Sequence, residues 1–256
     1  MSDMKYTDAV TMAYINLYGV LGGLTALCDV VPEARKILGK SACSIGFDVK
    51  NGPAATLTFV GGRCIFKEGV ENCAIRIPFS TCEKFNGMVD GTVTPIPTRG
   101  VTKLPFLLGK FKKLTALLEQ YLRPSPELLE DETFLKQSTA ILFRVIVTSV
   151  AQIANHDKVG RASASYIMDG AVKLEIGGLT SAALIAKDHT LTFSQKVPKT
   201  FLSCMQFADV KTARDLFDGK INSVAAVGLG DVKVSGMIPQ LDNINRILSR
   251  VELYLN

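Results

Sequence analysis

Two aspartate–histidine neighbours, His156 beside Asp157 and Asp188 beside His189, are the residues whose types best suit acid–base chemistry. An imidazole oriented by a carboxylate can take a proton from a serine or cysteine nucleophile. Adjacent side chains on a chain point apart, however, and the sequence holds no G-x-S-x-G turn to present a serine. Both histidines fall in predicted turns, where exposure to solvent explains them. Glu130, Asp131 and Glu132 open a predicted helix and suit its positive end. The run "AVGLGDVKVSG" suggests a phosphate loop, but it lacks the Gly-Lys-Ser/Thr ending, and the 26 residues after Gly230 cannot complete a dinucleotide fold.

The six cysteines are Cys28, Cys43, Cys64, Cys73, Cys82 and Cys204, with no C-x-x-C pair and only two histidines beside them. A zinc site is poorly supplied, and neither a metal nor a cofactor is expected. A tight turn at Glu68-Gly69 is expected to set Cys64 opposite Cys73 on a hairpin, as small half-buried residues. The thiols fit a reducing, cytoplasmic compartment.

The elements that would position any site are those of a globular chain: 256 residues, 47% hydrophobic and 21% charged, enough for one large domain or two ordinary ones. The net charge of +5 is spread without long basic runs. It permits transient contact with an anionic membrane surface and falls short of a nucleic-acid footprint, so no nucleic-acid partner is expected. From Ala9 to Cys28 no residue is charged, which is about the length of a membrane span. Asn16, three glycines and the flanking acids Asp8 and Asp29 oppose a span, and the acidic start opposes a signal peptide. Val10, Ala13, Tyr14, Leu17, Leu21, Leu24 and Cys28 instead predict an amphipathic or buried helix.

The chain reads as two halves with one plan. In the first half a helix over 8–38 precedes strands in "CSIGFDV", "ATLTFV", "RCIFK" and "CAIRIPF", a short helix ending at Asp90-Gly91, a Pro-rich link and a closing helix. In the second, a long helix after Pro126 precedes strands in "ASYIMDG", "AVKLEIGG", "LTSAALIAKD" and "HTLTFSQKV", a short helix ending at Asp218-Gly219, and a closing helix. Phe79, Asp90 and Gly91 recur as Phe207, Asp218 and Gly219 at a constant offset of 128, and Gly100 meets Gly228 at that offset. Glycine just past a helix can take the left-handed conformation that closes it. Units of 1–124 and 125–256 follow.

The stretch "LFDGKINSVAAVGLGDVKVSGMI" has a helix, an Asp-Gly stop, an extended apolar run, a G-x-x-K-x-x-G and a C-terminal helix. It resembles the sterol-carrier-protein type-two (SCP-2) lipid-binding family, most clearly from Phe207 to Ile247. In the first half, "MVDGTVTPIPTRGVTKLPFLLGKFKKL" keeps Gly91, Gly100 and Lys103 but gains three prolines. The resemblance implies an α+β fold of two tandem units, each an about five-stranded, mainly antiparallel sheet covered by helices, with an apolar tunnel for a fatty acyl chain, acyl-CoA or sterol-like lipid. Its walls would be Phe193, Phe207, Phe217, Val227, Met237, Ile238, Leu241 and Ile244 in the second copy. In the first they would be Leu57, Phe59, Phe79, Phe85, Met88, Leu104, Phe106 and Phe111.

The function expected is therefore non-catalytic binding, with transfer or storage of a hydrophobic small molecule, by a pseudo-dimer of two units within one chain. Lys103, Lys110, Lys112 and Lys113 are candidates for meeting an anionic headgroup or membrane. Two alternatives stand beside it: a scaffolding protein with solid cores, and an enzyme on lipid thioesters using Cys204 or Cys82, which requires a thiol of depressed pKa.

Overall fold

The computed structural model describes residues 7–255. The chain divides into two compact units, Thr7–Pro124 and the residues from Ser125 onward.

In the first unit, α1 (Ala9–Tyr14) starts behind Asp8, whose carboxylate accepts from the Thr11 amide. The helix continues through a π segment (Ile15–Val20) and a 3-10 turn (Leu21–Gly23) into α2 (Leu24–Val30). This apolar run is long enough to cross a membrane, and 72% of its most apolar window is buried in the fold. Its buried Asn16 donates to Asn86 Oδ1 at 3.1 Å, and Asn86 donates to the Ala9 carbonyl at 3.0 Å, so the polar interruption is satisfied. Extended Val31 stops the helix, as a residue before proline favours, and α3 (Pro32–Leu38) follows.

Strands β1 (Cys43–Val49), β2 (Ala54–Val60), β3 (Arg63–Glu68) and β4 (Ile75–Phe79) form a sheet in the order β3-β2-β1-β4, antiparallel except for the parallel β1–β4 pair. This unit has four strands rather than five, with one antiparallel bridge between Arg76 and Arg99 at the β4 edge. The expected Cys64–Cys73 hairpin is absent, because Cys64 pairs with Phe59 and the chain then crosses to the far side of β1. Gly46 lets it pass: a Cβ there would lie 2.7 Å from both Val70 Cγ1 and Cys73 Sγ. Helix α4 (Cys82–Val89) follows, and a helical run through Val101–Lys103 and a π segment (Phe106–Phe111) leads into α5 (Lys112–Leu122).

The second unit opens with α6 (Glu132–His156), capped by Asp131, and α7 (Lys158–Ala164), capped by Asp157. The predicted strand "ASYIMDG" is instead the tail of α7 and a turn, closed by the Tyr166 and Ile167 amides on the carbonyls of Ser163 and Ala164. Strands β5 (Gly170–Ile176), β6 (Thr180–Lys187), β7 (Thr190–Ser194) and β8 (Ser203–Phe207) are followed by α8 (Val210–Phe217), α9 (Ser223–Leu229), β9 (Val232–Gly236) and α10 (Ile238–Leu255). The order is β7-β6-β5-β8-β9, with only β5–β8 parallel. His189 lies exposed at the tip of the β6–β7 hairpin, where Asp188 and His189 both have positive φ. His156 closes α6 rather than lying in a turn, and Asp157 is buried.

Each unit is thus α+β, and the two sheets share the order and sense of four strands. The 128-residue offset carries into local chemistry. Thr81 caps α4 through the Lys84 amide and Asp209 caps α8 through the Thr212 amide; Gly91 and Gly219, at φ 73° and 68°, close the two helices. The Phe79 carbonyl accepts from the Lys50 amide, and that of Phe207 accepts from Gly177. Gly100, however, corresponds in place to Gly236 rather than Gly228, which sits inside α9. A Cβ on Gly100 would meet Ala74 O at 2.2 Å, and one on Gly236 would meet Leu202 O at 2.1 Å, the two carbonyls being 128 residues apart. The stretch expected to run extended through Val227 is helical instead, started by Asn222, whose side chain accepts from the Ala225 amide, and stopped by Gly230 at φ 83°.

Candidate functional site

In the second unit, seven apolar side chains from five elements converge on one seam: Phe143, Ile146 and Val147 from α6, Leu174 from β5, Phe207 from β8, Phe217 from α8 and Leu248 from α10. The α6 residues meet because positions three and four apart share a helix face. Phe217 packs edge-on to Phe207 with ring centres 5.3 Å apart and lies 6.4 Å from the ring of Phe143. Phe207 and Leu174 are buried, whereas Phe217 and Leu248 are half-buried and form the rim. The seam is all carbon and leaves no room for a water molecule, so it is a closed contact between helices and sheet and not an open tunnel.

Beside it, α8 is fastened to α6. The buried guanidinium of Arg214 donates from Nη1 to Ser138 Oγ at 2.8 Å, and its Nη2 lies 2.9 Å from Asp218 Oδ1. Lys220 adds contacts of 3.2 Å to Asp218 and 3.4 Å to Asp215. The rim residue Phe217 therefore sits on a helix positioned by a charge network, three residues from its anchor.

Of the second-copy residues expected to line a tunnel, Phe207 and Phe217 reach the seam. Leu241 and Ile244 are buried on α10 and Met237 is half-buried ahead of it; Val227 and Ile238 are exposed. Phe193 lies beneath the guanidinium of Arg144, 5.4 Å from its ring centre. Phe143, Ile146 and Val147 are absent from the sequence-derived set. They were hard to see there because α6 is buried on nearly every side, so no single stripe stands out.

In the first unit five of the expected residues form a chain of rings instead, joined through Phe47, which the expected set lacked. Phe79 packs on Phe85 (5.2 Å), Phe85 on Phe47 (6.2 Å), Phe47 on Phe111 (6.2 Å), Phe111 on Phe59 (6.0 Å) and Phe59 on Phe106 (5.5 Å). Leu57 is fully buried, and Met88 and Leu104 are half-buried. Lys110 is drawn inward, donating to the Leu38 carbonyl at 2.8 Å and to Ser41 Oγ at 2.6 Å at the C-terminal end of α3, where a cation is favoured.

The thiols of Cys28, Cys43, Cys82 and Cys204 are shifted away from nucleophilic use. Burial pushes the Cys28 thiol up to about 12. Burial, aided by Glu83, raises Cys82, and burial together with Glu175 raises Cys204. A thiol so raised is mostly un-ionised at neutral pH. Iodoacetamide at neutral pH is accordingly expected to label Cys82 and Cys204 more slowly than a free peptide thiol, as followed by mass spectrometry of digests. Labelling faster than the free thiol would favour the thioester-enzyme reading. Among the described residues no group of histidines, cysteines and acids could hold a metal.

No family model matches the chain, and no curated protein matches it. Among solved structures it is similar to sterol carrier protein 2 from Yarrowia lipolytica in its apo form, with 18% identity over 43% of this chain and 90% of that one, at a TM-score of 0.33. It is similar to a UbiJ-SCP2 ubiquinone synthesis protein, with 15% identity over 42% of this chain and 96% of that one, at 0.33. The sterol carrier protein domain 2 of Helicoverpa armigera matches at 12% identity over 40% of this chain and 80% of its own, at 0.32. Likenesses this low bear on neither ligand nor activity; all three structures are SCP2 domains, the family that the residues from Phe207 to Ile247 resemble.

Proposed function

We propose that this chain is a non-catalytic binder of a hydrophobic small molecule, a fatty acyl, acyl-CoA or sterol-like lipid, taken up in the second unit for transfer or storage in the cytoplasm. The observation that carries this reading is the all-carbon seam between α6 and the sheet, with two half-buried side chains at its rim. A ligand enters by displacing Phe217 and Leu248, and each buried methylene contributes roughly 0.8 kcal/mol toward that displacement and toward association. No polar partner is required, so selectivity rests on length and width. In this reading the halves are tandem copies, and the brief contact needed to exchange a lipid is with a membrane surface.

The ring chain of the first unit favours a second role there. With its interior occupied by aromatic side chains, that copy supports the binding one. This is the scaffolding alternative confined to one half, and it predicts one ligand per chain rather than two.

The sequence contains no tryptophan, so Phe217→Trp places a single indole reporter at the rim. Native mass spectrometry of the wild-type chain is expected to show a mass that solvent extraction releases as lipid. Adding a fatty acid should shift the emission of the introduced indole, and its bulk should weaken binding about tenfold relative to wild type. A ligand-free mass together with unchanged emission on addition of fatty acid, acyl-CoA and sterol would remove the carrier reading and leave the scaffold.

A further inference from the structure

From Gly91 through Leu118 the first unit contains no aspartate or glutamate, while Arg99, Lys103, Lys110, Lys112 and Lys113 supply five positive charges, equal to the net charge of the entire chain. This acid-free stretch also carries exposed apolar side chains. Ile96 is 76% exposed, Val101 64% and Leu108 69%. On the helical run from Val101 into α5, Leu107, Phe111, Leu114 and Leu118 turn into the core. Val101, Pro105, Leu108 and Lys112, spread over the 3-10 turn, the π segment and the start of α5, are all exposed and mark the outward side of this run as a stripe.

A helix face meant only for water carries mixed charges and small polar residues. This one carries two large aliphatic side chains and a proline, with the exposed Lys103 and Lys113 nearby. Among the described residues Lys103, Lys112 and Lys113 have no ion-pair partner, and Lys110 is engaged with α3. The neighbouring α3 exposes a single acid, Glu33, against Arg35 and Lys36. Apolar side chains that enter the headgroup layer, beside cations that meet its phosphates, are what a helix lying on a bilayer surface requires.

We propose that the stripe Val101–Pro105–Leu108–Lys112, with Lys103 and Lys113, docks the first unit on an anionic phospholipid bilayer. This locates the membrane contact named in the carrier reading, and it does not depend on the ligand seam.

The test is flotation of the full chain with vesicles of phosphatidylcholine alone and of phosphatidylcholine with phosphatidylglycerol, at low and at high salt. Binding is expected only to the anionic vesicles and should weaken with salt. The combined Lys103→Gln, Lys112→Gln and Lys113→Gln variant should lose about 100-fold in partitioning, since each lysine near an anionic surface contributes about fivefold. Leu108→Ser, at a position exposed enough to spare the fold, should lose about tenfold. A charge-matched variant at Lys196, Lys199 and Lys211, exposed in the second unit, should retain binding.

The proposal falls if anionic vesicles are not bound, or if the charge-matched variant loses as much as the face variant. It also falls if Leu108→Ser has no effect, which would make the lysines a general polyanion attractor such as nucleic acids would meet. Vesicle binding by a chain that carries no extractable lipid would remove the carrier reading and leave this surface standing.

Discussion

Replacing Asp157 with alanine is expected to lower the stability of the second unit by about 3–5 kcal/mol. The carboxylate is buried at the junction where α6 ends and α7 begins, and it answers to both helices and to α10. Oδ1 accepts from the amides of Val159 at 2.9 Å and Gly160 at 2.8 Å and lies 2.8 Å from Arg250 Nε; Oδ2 accepts from Arg250 Nη2 at 2.8 Å and from the Tyr254 hydroxyl at 2.7 Å. Removing it takes from a largely buried guanidinium the carboxylate that both its Nε and Nη2 contact, which costs more than a missing helix cap. The control is Asp209→Ala, an exposed cap of α8 that accepts from the Thr212 amide, with an expected loss of about 1 kcal/mol.

The sign of the pH dependence can be worked out from the same contacts. Burial alone would raise the Asp157 carboxyl, but the Arg250 guanidinium, the Gly160 amide and the Tyr254 hydroxyl outweigh it and hold the carboxyl below its ordinary value of 3.8. A depressed folded-state pKa adds stability that is present above the unfolded value and fades as pH falls through the folded one. Asp157→Asn, which keeps an acceptor for the amides, is expected to cost about 2 kcal/mol at neutral pH. Its gap from wild type should narrow below about pH 4. Denaturant titrations across that range, with hydrogen exchange read on α7 and α10 peptides, would expose a gap that stays constant with pH. A constant gap would mean that the ion pair is not what the aspartate contributes.

Local chemistry was legible in the sequence, and nonlocal topology was not. The Asp-Gly stops of α4 and α8 are written within a few residues of one another, because caps and left-handed glycines act within one turn, whereas the single helix expected over 8–38 is broken at extended Val31, ahead of Pro32. The crossing of the chain over β1 is not written that way. Nothing near Cys64 or Cys73 says that the strand after Cys73 joins β1, and the glycine that permits it, Gly46, lies on another strand. The same limit explains "ASYIMDG": its Tyr, Ile and Met suit a strand, but the Asp157 cap upstream had already begun a helix.

The seam divides in the same manner. Phe207 and Phe217 stand out because they flank a helix whose ends are marked. Phe143, Ile146 and Val147 lie on a helix buried nearly all round, where periodicity cannot single out a face. His156-Asp157 is the instructive case. Placing the histidine in an exposed turn left the aspartate beside it unexplained, and it is a buried carboxylate whose partners Arg250 and Tyr254 lie more than ninety residues downstream.

Substituting alanine for Gly236 is expected to cost at least about 4 kcal/mol, and Gly100→Ala should do nearly the same in the other unit. Gly236 ends β9 at φ 91° opposite Ser203, and a Cβ would fall 2.1 Å from Leu202 O and 2.8 Å from Ser203 Cα, atoms of backbone that cannot swing aside. The following turn is fixed as well. The Met237 amide donates to Leu202 O at 3.3 Å and to Ser203 Oγ at 3.2 Å, and that hydroxyl donates to Gln240 Oε1 at 2.6 Å at the start of α10. Shifting the glycine therefore shifts the helix that supplies Leu248 to the seam. Gly91→Ala separates the two penalties. Its φ is also positive, at 73°, but a Cβ there meets nothing within 4 Å, so only the intrinsic backbone cost of about 1 kcal/mol applies. Denaturant midpoints for the three variants, with slopes compared to show that the unfolding reaction is unchanged, should place Gly236→Ala and Gly100→Ala well below Gly91→Ala. Three equal losses would mean that the backbone at β9 and at Arg99-Gly100 yields freely. The matched positions would then reflect a shared conformation of glycine and not a shared close approach of two strands.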